Sequence, residues 1–132
     1  FTQADAFAYM RDMLRTGKQY DIVVLDPPKL IRNRAELEDG TRKHLDLNRL
    51  AMQLVRPGGM MLTCSCAGLL QPAEFTRLVR SASRTAFLPS ELNPNPVPRP
   101  MQILSHSGAA PCHPVSANCS ESEYLKAMWL RL

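Results

Sequence analysis

Asp21-Ile22-Val23-Val24-Leu25-Asp26-Pro27-Pro28-Lys29 is the stretch that decides the architecture. Its first half is a β-branched run with no internal polar residue, the pattern of a strand buried on both faces. Its second half must leave regular structure, because successive prolines fix φ and supply no N–H. The nonapeptide predicts a buried strand, Asp21 to Leu25, ending in a rigid loop. Upstream, Phe7, Met10 and Leu14 recur at helical spacing that fades at Gly17, which predicts one short helix within Phe1 to Leu14. Downstream, the charged stretch Leu30 to Arg42 reads as a loop or a short helix. Leu45, Leu47, Leu50, Ala51, Leu54 and Val55 then recur at helical spacing until Pro57-Gly58-Gly59 stops them in a turn.

Met60 to Cys64 is a second short apolar strand, followed by a Gly-containing loop, Ser65 to Leu69, and a helix from Pro72 to about Thr85 with proline in its first turn. Residues 87–100 hold Pro89, Pro94, Pro96, Pro98 and Pro100, which predict a loop or extended arm. Met101 to Ser105 and Glu123 to Leu130 are the last strands, able to pair as an antiparallel hairpin. Helices alternating with strands before such a hairpin predict an α/β fold with a mostly parallel sheet, whose ligands sit beyond the carboxyl ends of the strands. Asp26 and Cys66 both fall just past such ends.

The composition narrows the function classes. With 132 residues and 45% hydrophobic side chains, the chain fits one globular domain. It has no apolar run of membrane-spanning length, and Asp5, Arg11 and Asp12 charge its opening, so neither a membrane span nor a secretory signal is predicted. These features predict a cytoplasmic protein, and four cysteines are too few for a disulfide scaffold, so reduced thiols are expected. Sixteen basic against twelve acidic residues permit a nucleic-acid partner, but the signs are scattered and would equally suit an ordinary domain.

Two short segments carry the candidate chemistry. In Asp26-Pro27-Pro28-Lys29 the prolines stiffen the loop, aim the carboxylate and leave backbone carbonyls free to grip a planar amide or amine edge. A strand-ending turn in which Asp26 caps a nearby N–H fits the tetrapeptide as well. In Thr63-Cys64-Ser65-Cys66-Ala67-Gly68, Cys64 lies within the strand and reads as a small packed residue. Cys66 lies in the loop, where a thiolate nucleophile or a packed thiol are both open, with Lys29, Arg32 and Arg34 near enough in sequence to supply positive potential around Asp26 and the cysteine. His106, Cys112, His113 and Cys119 invite a zinc reading, but adjacent Cys112 and His113 and the lack of a paired C-x-x-C knuckle argue against a metal site.

These motifs together resemble the S-adenosylmethionine-dependent 5-methylcytosine methyltransferases of large-subunit ribosomal RNA. The likeness rests on Asp26-Pro27-Pro28-Lys29, the helix with Asp46-Leu47-Asn48 and Leu54, the Pro57-Gly58-Gly59 turn, the strand running into Ser65-Cys66, and Tyr124-Leu125-Lys126. It implies the carboxyl-terminal portion of a Rossmann-like class I methyltransferase sheet over residues 1–132. It further implies that Cys66 attacks carbon 6 of cytosine and that Asp26 holds the ring at nitrogen 3. Pro27 and Pro28 would shape the pocket, and Lys29, Arg32 and Arg34 would contact RNA; a solvated surface loop accounts for those charges equally. Asp5, with Ala6 and Phe7 beside it, matches the acidic residue that binds the adenine amino group of S-adenosylmethionine, and reads as a helix N-cap just as well. His113-Pro114 and Tyr124-Leu125-Lys126 are expected to be structural or to line the pocket.

The chain also departs from that family. It has no glycine-rich strand-to-helix turn and no acidic residue ending a second strand, the elements that hold the methionine and ribose of the cofactor. A partial domain is therefore expected, inactive alone and exposing the edge of its Asp21–Leu25 strand to a second copy, which predicts a homo-oligomer. Two other functions fit parts of the sequence: an amino-methyltransferase acting on adenine, which would need no cysteine at position 66, and a non-enzymatic α/β interaction module.

Overall fold

In the computed structural model, which describes residues 1–87 and 97–132, the Asp21–Leu25 run forms strand β1 (Tyr20–Leu25). It follows helix α1 (Ala6–Arg15), whose N-cap is Asp5, its carboxylate accepting the Ala8 N–H at 2.9 Å. Gly17, at φ 70°, ends that helix with a conformation other residues adopt at a cost. After the Asp-Pro-Pro loop and a 3₁₀ turn at Arg34–Glu36 comes helix α2 (Leu37–Leu54).

α2 begins earlier than the apolar spacing predicts, so much of the charged stretch is helix. Glu38 and Asp39 favour its positive amino end, and Asp39 pairs with Arg42 at 2.8 Å and Lys43 at 2.7 Å along its solvated face. Strand β2 (Val55–Ser65) is likewise longer than expected and absorbs Pro57-Gly58-Gly59. The predicted turn is instead an irregularity within the strand. Tyr20 partners Val55 while Ile22 partners Met60, and Leu132 donates its N–H to the Gly59 carbonyl at 3.0 Å. Helix α3 (Pro72–Thr85) starts where Glu74 accepts the Gln71 N–H at 3.0 Å. Strands β3 (Gln102–Ser107) and β4 (Lys126–Arg131) form the antiparallel hairpin.

The sheet order is β1-β2-β4-β3, parallel between β1 and β2 and antiparallel across β2–β4 and β4–β3. The α/β architecture and terminal hairpin are as expected, but the sheet is mixed and not mostly parallel: the β1–β2 pairing is parallel and the two pairings made by β4 are antiparallel, because the hairpin joins the sheet through β4. Met61, Thr63, Ser65, Met128 and Leu130 face a core completed by Ile31, Leu47, Ala51, Met52, Phe75 and Val79. α2 packs against both α1 and α3. The opposite face is apolar and open: Ile22 is 58% and Val24 62% exposed, and Leu62 and Trp129 are half-buried. β1 is thus an exposed edge strand here, and a strand buried on both faces is not what the described residues form.

Of the Pro-rich stretch, residues 88–96, with Pro89, Pro94 and Pro96, lie outside the described residues. At its flanks Phe87 bridges Pro98, and buried Arg99 donates to the Val55 carbonyl. Among the described residues no helix is long and apolar enough to cross a membrane.

Candidate active site

Leu25, the last residue of β1, partners Thr63 in the parallel β1–β2 ladder, and β2 runs two residues further to Ser65, so the loops that follow leave the same end of the sheet from neighbouring strands. The first carries Asp26-Pro27-Pro28-Lys29 and is anchored by Ile31, which is fully buried. Gly40 of α2 lies against this anchor: a Cβ there would collide with the Leu30 carbonyl and the Ile31 side chain. The second carries Ser65-Cys66-Ala67.

That second loop is held on several sides. Ser65 Oγ accepts the Ala67 N–H at 3.3 Å and lies 3.4 Å from His44 Nε2. The Ala67 carbonyl accepts a hydrogen bond from Lys126 Nζ at 2.8 Å, and the same ammonium donates to the Tyr124 carbonyl at 2.8 Å. Ser65 and Lys126 are direct partners in the β2–β4 ladder, which brings the amino end of β4 beside the cysteine. Half-buried Cys66 points into a cleft of about 1100 Å³ whose wall includes Lys29, Arg32, Gln71, Tyr124 and Lys126.

The electrostatics follow from burial. Burial, reinforced by the Lys126 charge, pushes the His44 imidazole down to about 4, so this ring is neutral near pH 7. Burial also lowers the Lys126 ammonium, an effect opposed by Cys66. Arg32 is bound to Glu36 at 2.9 Å, and that carboxylate raises the guanidinium while Arg32 lowers Glu36.

The residues predicted from sequence fall in three places. Cys66, Lys29 and Arg32 share the cleft. Asp26 is exposed at the end of β1 and does not line that cleft; burial, and then the Asp26 charge, raise the thiol of Cys64, which lies half-buried within β2. Pro27 is buried and Pro28 exposed, as a stiff support for the loop requires, and Arg34 is exposed in the 3₁₀ turn. Asp5, Ala6 and Phe7 sit at the start of α1, outside the cleft, where the Arg11 guanidinium lies 5.6 Å from the Phe7 ring. Tyr124 and Lys126 line the cleft as pocket-wall residues.

His44, Gln71, Glu121 and Glu123 belong to the site or its rim without having been singled out by sequence. Their side chains converge only through the fold, and none lies in a recognisable local motif. Cys112 Sγ is 3.1 Å from His113 Nδ1, and Cys119 lies against Glu121; among the described residues no group of three His, Cys, Asp or Glu side chains is placed to hold a metal ion.

Solved structures share this fold. The SMU.776 protein, "a putative methyltransferase complexed with SAH", superposes with a TM-score of 0.72 at 18% identity, over 98% of this chain and 30% of that one. A methyltransferase homolog protein from Pyrococcus horikoshii gives 0.61 at 14% identity, over 98% of this chain and 43% of the other. This chain has a methyltransferase fold. In sequence it is similar to ribosomal RNA large subunit methyltransferase I of Shewanella frigidimarina, 36% identical over 132 residues, which is 100% of this chain and 30% of that protein. The chain therefore spans about 30% of the length of the curated relatives it matches. No protein-family model matches it. Within the methyltransferase fold the cleft at Cys66 lies at the strand ends where open α/β sheets bind ligands.

Proposed function

We propose that this chain is the target-base part of an S-adenosylmethionine-dependent ribosomal RNA methyltransferase, one that methylates carbon 5 of cytosine through an adduct with Cys66. The observation that carries the reading is that the Asp26 and Cys66 loops leave the same end of two neighbouring parallel strands, with Cys66 opening into a cleft of about 1100 Å³ beside Lys29 and Arg32. The similarity to ribosomal RNA methyltransferases supports the substrate class and a cytoplasmic setting.

The donor set at Asp5 fits the cofactor. One carboxylate oxygen caps α1, and the other accepts nothing among the described residues, which suits an exocyclic amine N–H. Ala6 and Phe7 would pack beside it. S-adenosylmethionine, when bound, supplies an electrophilic methyl group.

This chain's own residues do the rest. Cys66 sulfur adds to carbon 6, and as the S–C6 bond forms the C5=C6 π pair moves to carbon 5, which becomes the nucleophile. Asp26, on the neighbouring loop outside the cleft lining, holds the ring at nitrogen 3 where the base reaches across to that loop, and a proton from its carboxyl group offsets the negative charge that the addition delocalises onto nitrogen 3. Once carbon 5 is methylated, a base takes its proton, the C5=C6 double bond reforms as the Cys66 thiolate is expelled, and nitrogen 3 returns its proton to Asp26. Pro27 and Pro28 keep the Asp26 loop stiff, and Lys29, Arg32 and Arg34 give RNA phosphates a cationic rim. The open β1 edge supports self-association of this chain in isolation.

The test is methyl transfer to ribosomal RNA by the intact protein. Cys66→Ala is expected to abolish transfer, and RNA carrying 5-fluorocytosine, which has no carbon 5 proton to lose, is expected to stay covalently attached to the wild-type protein. Retained transfer by Cys66→Ala, with no trapped adduct, would move the assignment to amino-methylation of adenine.

A further inference from the structure

We infer that Lys126 is the positioning residue for Cys66: its buried ammonium pins the loop that presents the sulfur and supports the anionic sulfur from which attack begins. This rests on the reading of Cys66 as nucleophile. Lys126 is only 8% exposed, yet it has no carboxylate within ion-pair distance among the described residues. A buried ammonium so placed is costly unless something in its surroundings uses the charge. Two of its three N–H groups are committed, to the carbonyls of Ala67 and Tyr124. The third has no protein acceptor among the described residues, and the head group lies in the wall of the cleft that Cys66 enters.

The other charged or titratable groups around that wall do not fill the same role. His44, from α2, is neutral near pH 7. Arg32 is engaged by Glu36, Lys29 is exposed in its loop, His106 is exposed on β3, Tyr124 carries no cationic group, and Glu121 and Glu123 are exposed in the connection before β4. Lys126 alone among these is a buried cation bonded to the residue next to Cys66, and the Ser65–Lys126 register fixes it there. A thiolate is the attacking form of cysteine, so a fixed cation in the wall of the same cleft favours it.

The experiment is alkylation of the intact protein by iodoacetamide at pH 7, with each cysteine followed by mass spectrometry and exposed Cys112 as internal reference. Lys126→Met is expected to slow Cys66 roughly ten-fold against Cys112, while Lys126→Arg stays within about three-fold of wild type. A Met variant that reacts at the wild-type rate overturns the inference; so do Met and Arg variants that lose reactivity equally, which indicates a role in shape alone. If Lys126→Met does not fold, the Lys29→Ala, Arg32→Ala protein is compared with iodoacetate and iodoacetamide. A higher acetate-to-amide rate ratio at Cys66 than at Cys112 supports the buried cation, and equal ratios reject it. Alkylation needs neither RNA nor cofactor, so its failure leaves the carbon 5 reading standing, whereas methyl transfer that survives in Cys66→Ala removes that reading whatever alkylation shows.

Discussion

The Thr63 hydroxyl donates to Asn48 Oδ1 at 2.7 Å, a hydrogen bond sealed between β2 and α2 with both residues fully buried. Asn48 passes the link on by donating its amide to the His44 carbonyl at 2.8 Å. Thr63 is also the β-ladder partner of Leu25, so this bond ties the helix to the end of β1, where the Asp26 loop begins, and to β2 two residues before the Cys66 loop. Removing one member strands the other without water. Asn48→Ala and Thr63→Val are each expected to cost about 1–3 kcal/mol in urea unfolding. Asn48→Ala combined with Thr63→Val should cost less than the two single losses summed; strict additivity would rule out the coupling.

His44 sets a pH dependence of stability. Its folded-state value of about 4 lies below the ordinary 6.5, so the unfolded chain binds the proton more readily between those values. The associated stability is fully present above pH 6.5 and falls as pH drops from 6.5 toward 4, by up to about 1.4 kcal/mol per unit. His44→Gln should flatten that slope. Wild type and variant running parallel across the window would show that His44 is not the source.

Gly40 tests the close approach of α2 to the Leu30–Ile31 anchor. Helix propensity alone makes Ala about 1 kcal/mol better than Gly inside a helix. The added methyl would strike the Leu30 carbonyl and the Ile31 side chain, and overpacking of this kind costs about 1–3 kcal/mol. Gly40→Ala is therefore expected to lower the thermal midpoint and reduce methyl transfer by displacing the Asp26 loop. A raised midpoint would mean the approach is looser than described.

Two basic residues should behave differently toward RNA. Arg34 makes no ion pair among the described residues, whereas the Arg42 guanidinium is committed to Asp39 at 2.8 Å. In salt titrations of RNA affinity, Arg34→Ala should reduce the slope of log K against log salt by about 0.7–0.9, the value of one phosphate contact. Arg42→Ala should change it little. Equal effects would indicate a diffuse potential instead of specific contacts.

The strand cores and helix α3 were legible in the sequence because periodicity and proline punctuation are local signals. The start of α2 was not, since its first turns are held by solvated pairs such as Asp39 with Lys43 and carry few apolar residues. Pro57-Gly58-Gly59 read as a turn because its contacts are with Leu132, far away in sequence. The same distinction applies at the site. Cys66 and the Asp26 loop stood out as motifs past strand ends, but the separation of Asp26 from the Cys66 cleft and the convergence of His44 and Lys126 depend on packing between elements. Asp5 carried two meanings in sequence, and the structure displays its capping role directly.

β4 runs opposite to β2, so the cleft is bounded by the outgoing ends of parallel strands and by the incoming end of an antiparallel one. The connection that feeds β4, residues 108–125, forms part of the rim while lying outside the sheet ladders. Insertions or deletions there can reshape the mouth of the cleft without altering strand register. On the proposed function, selectivity for the surroundings of a target base can therefore diversify in that connection, independently of the elements that hold Cys66.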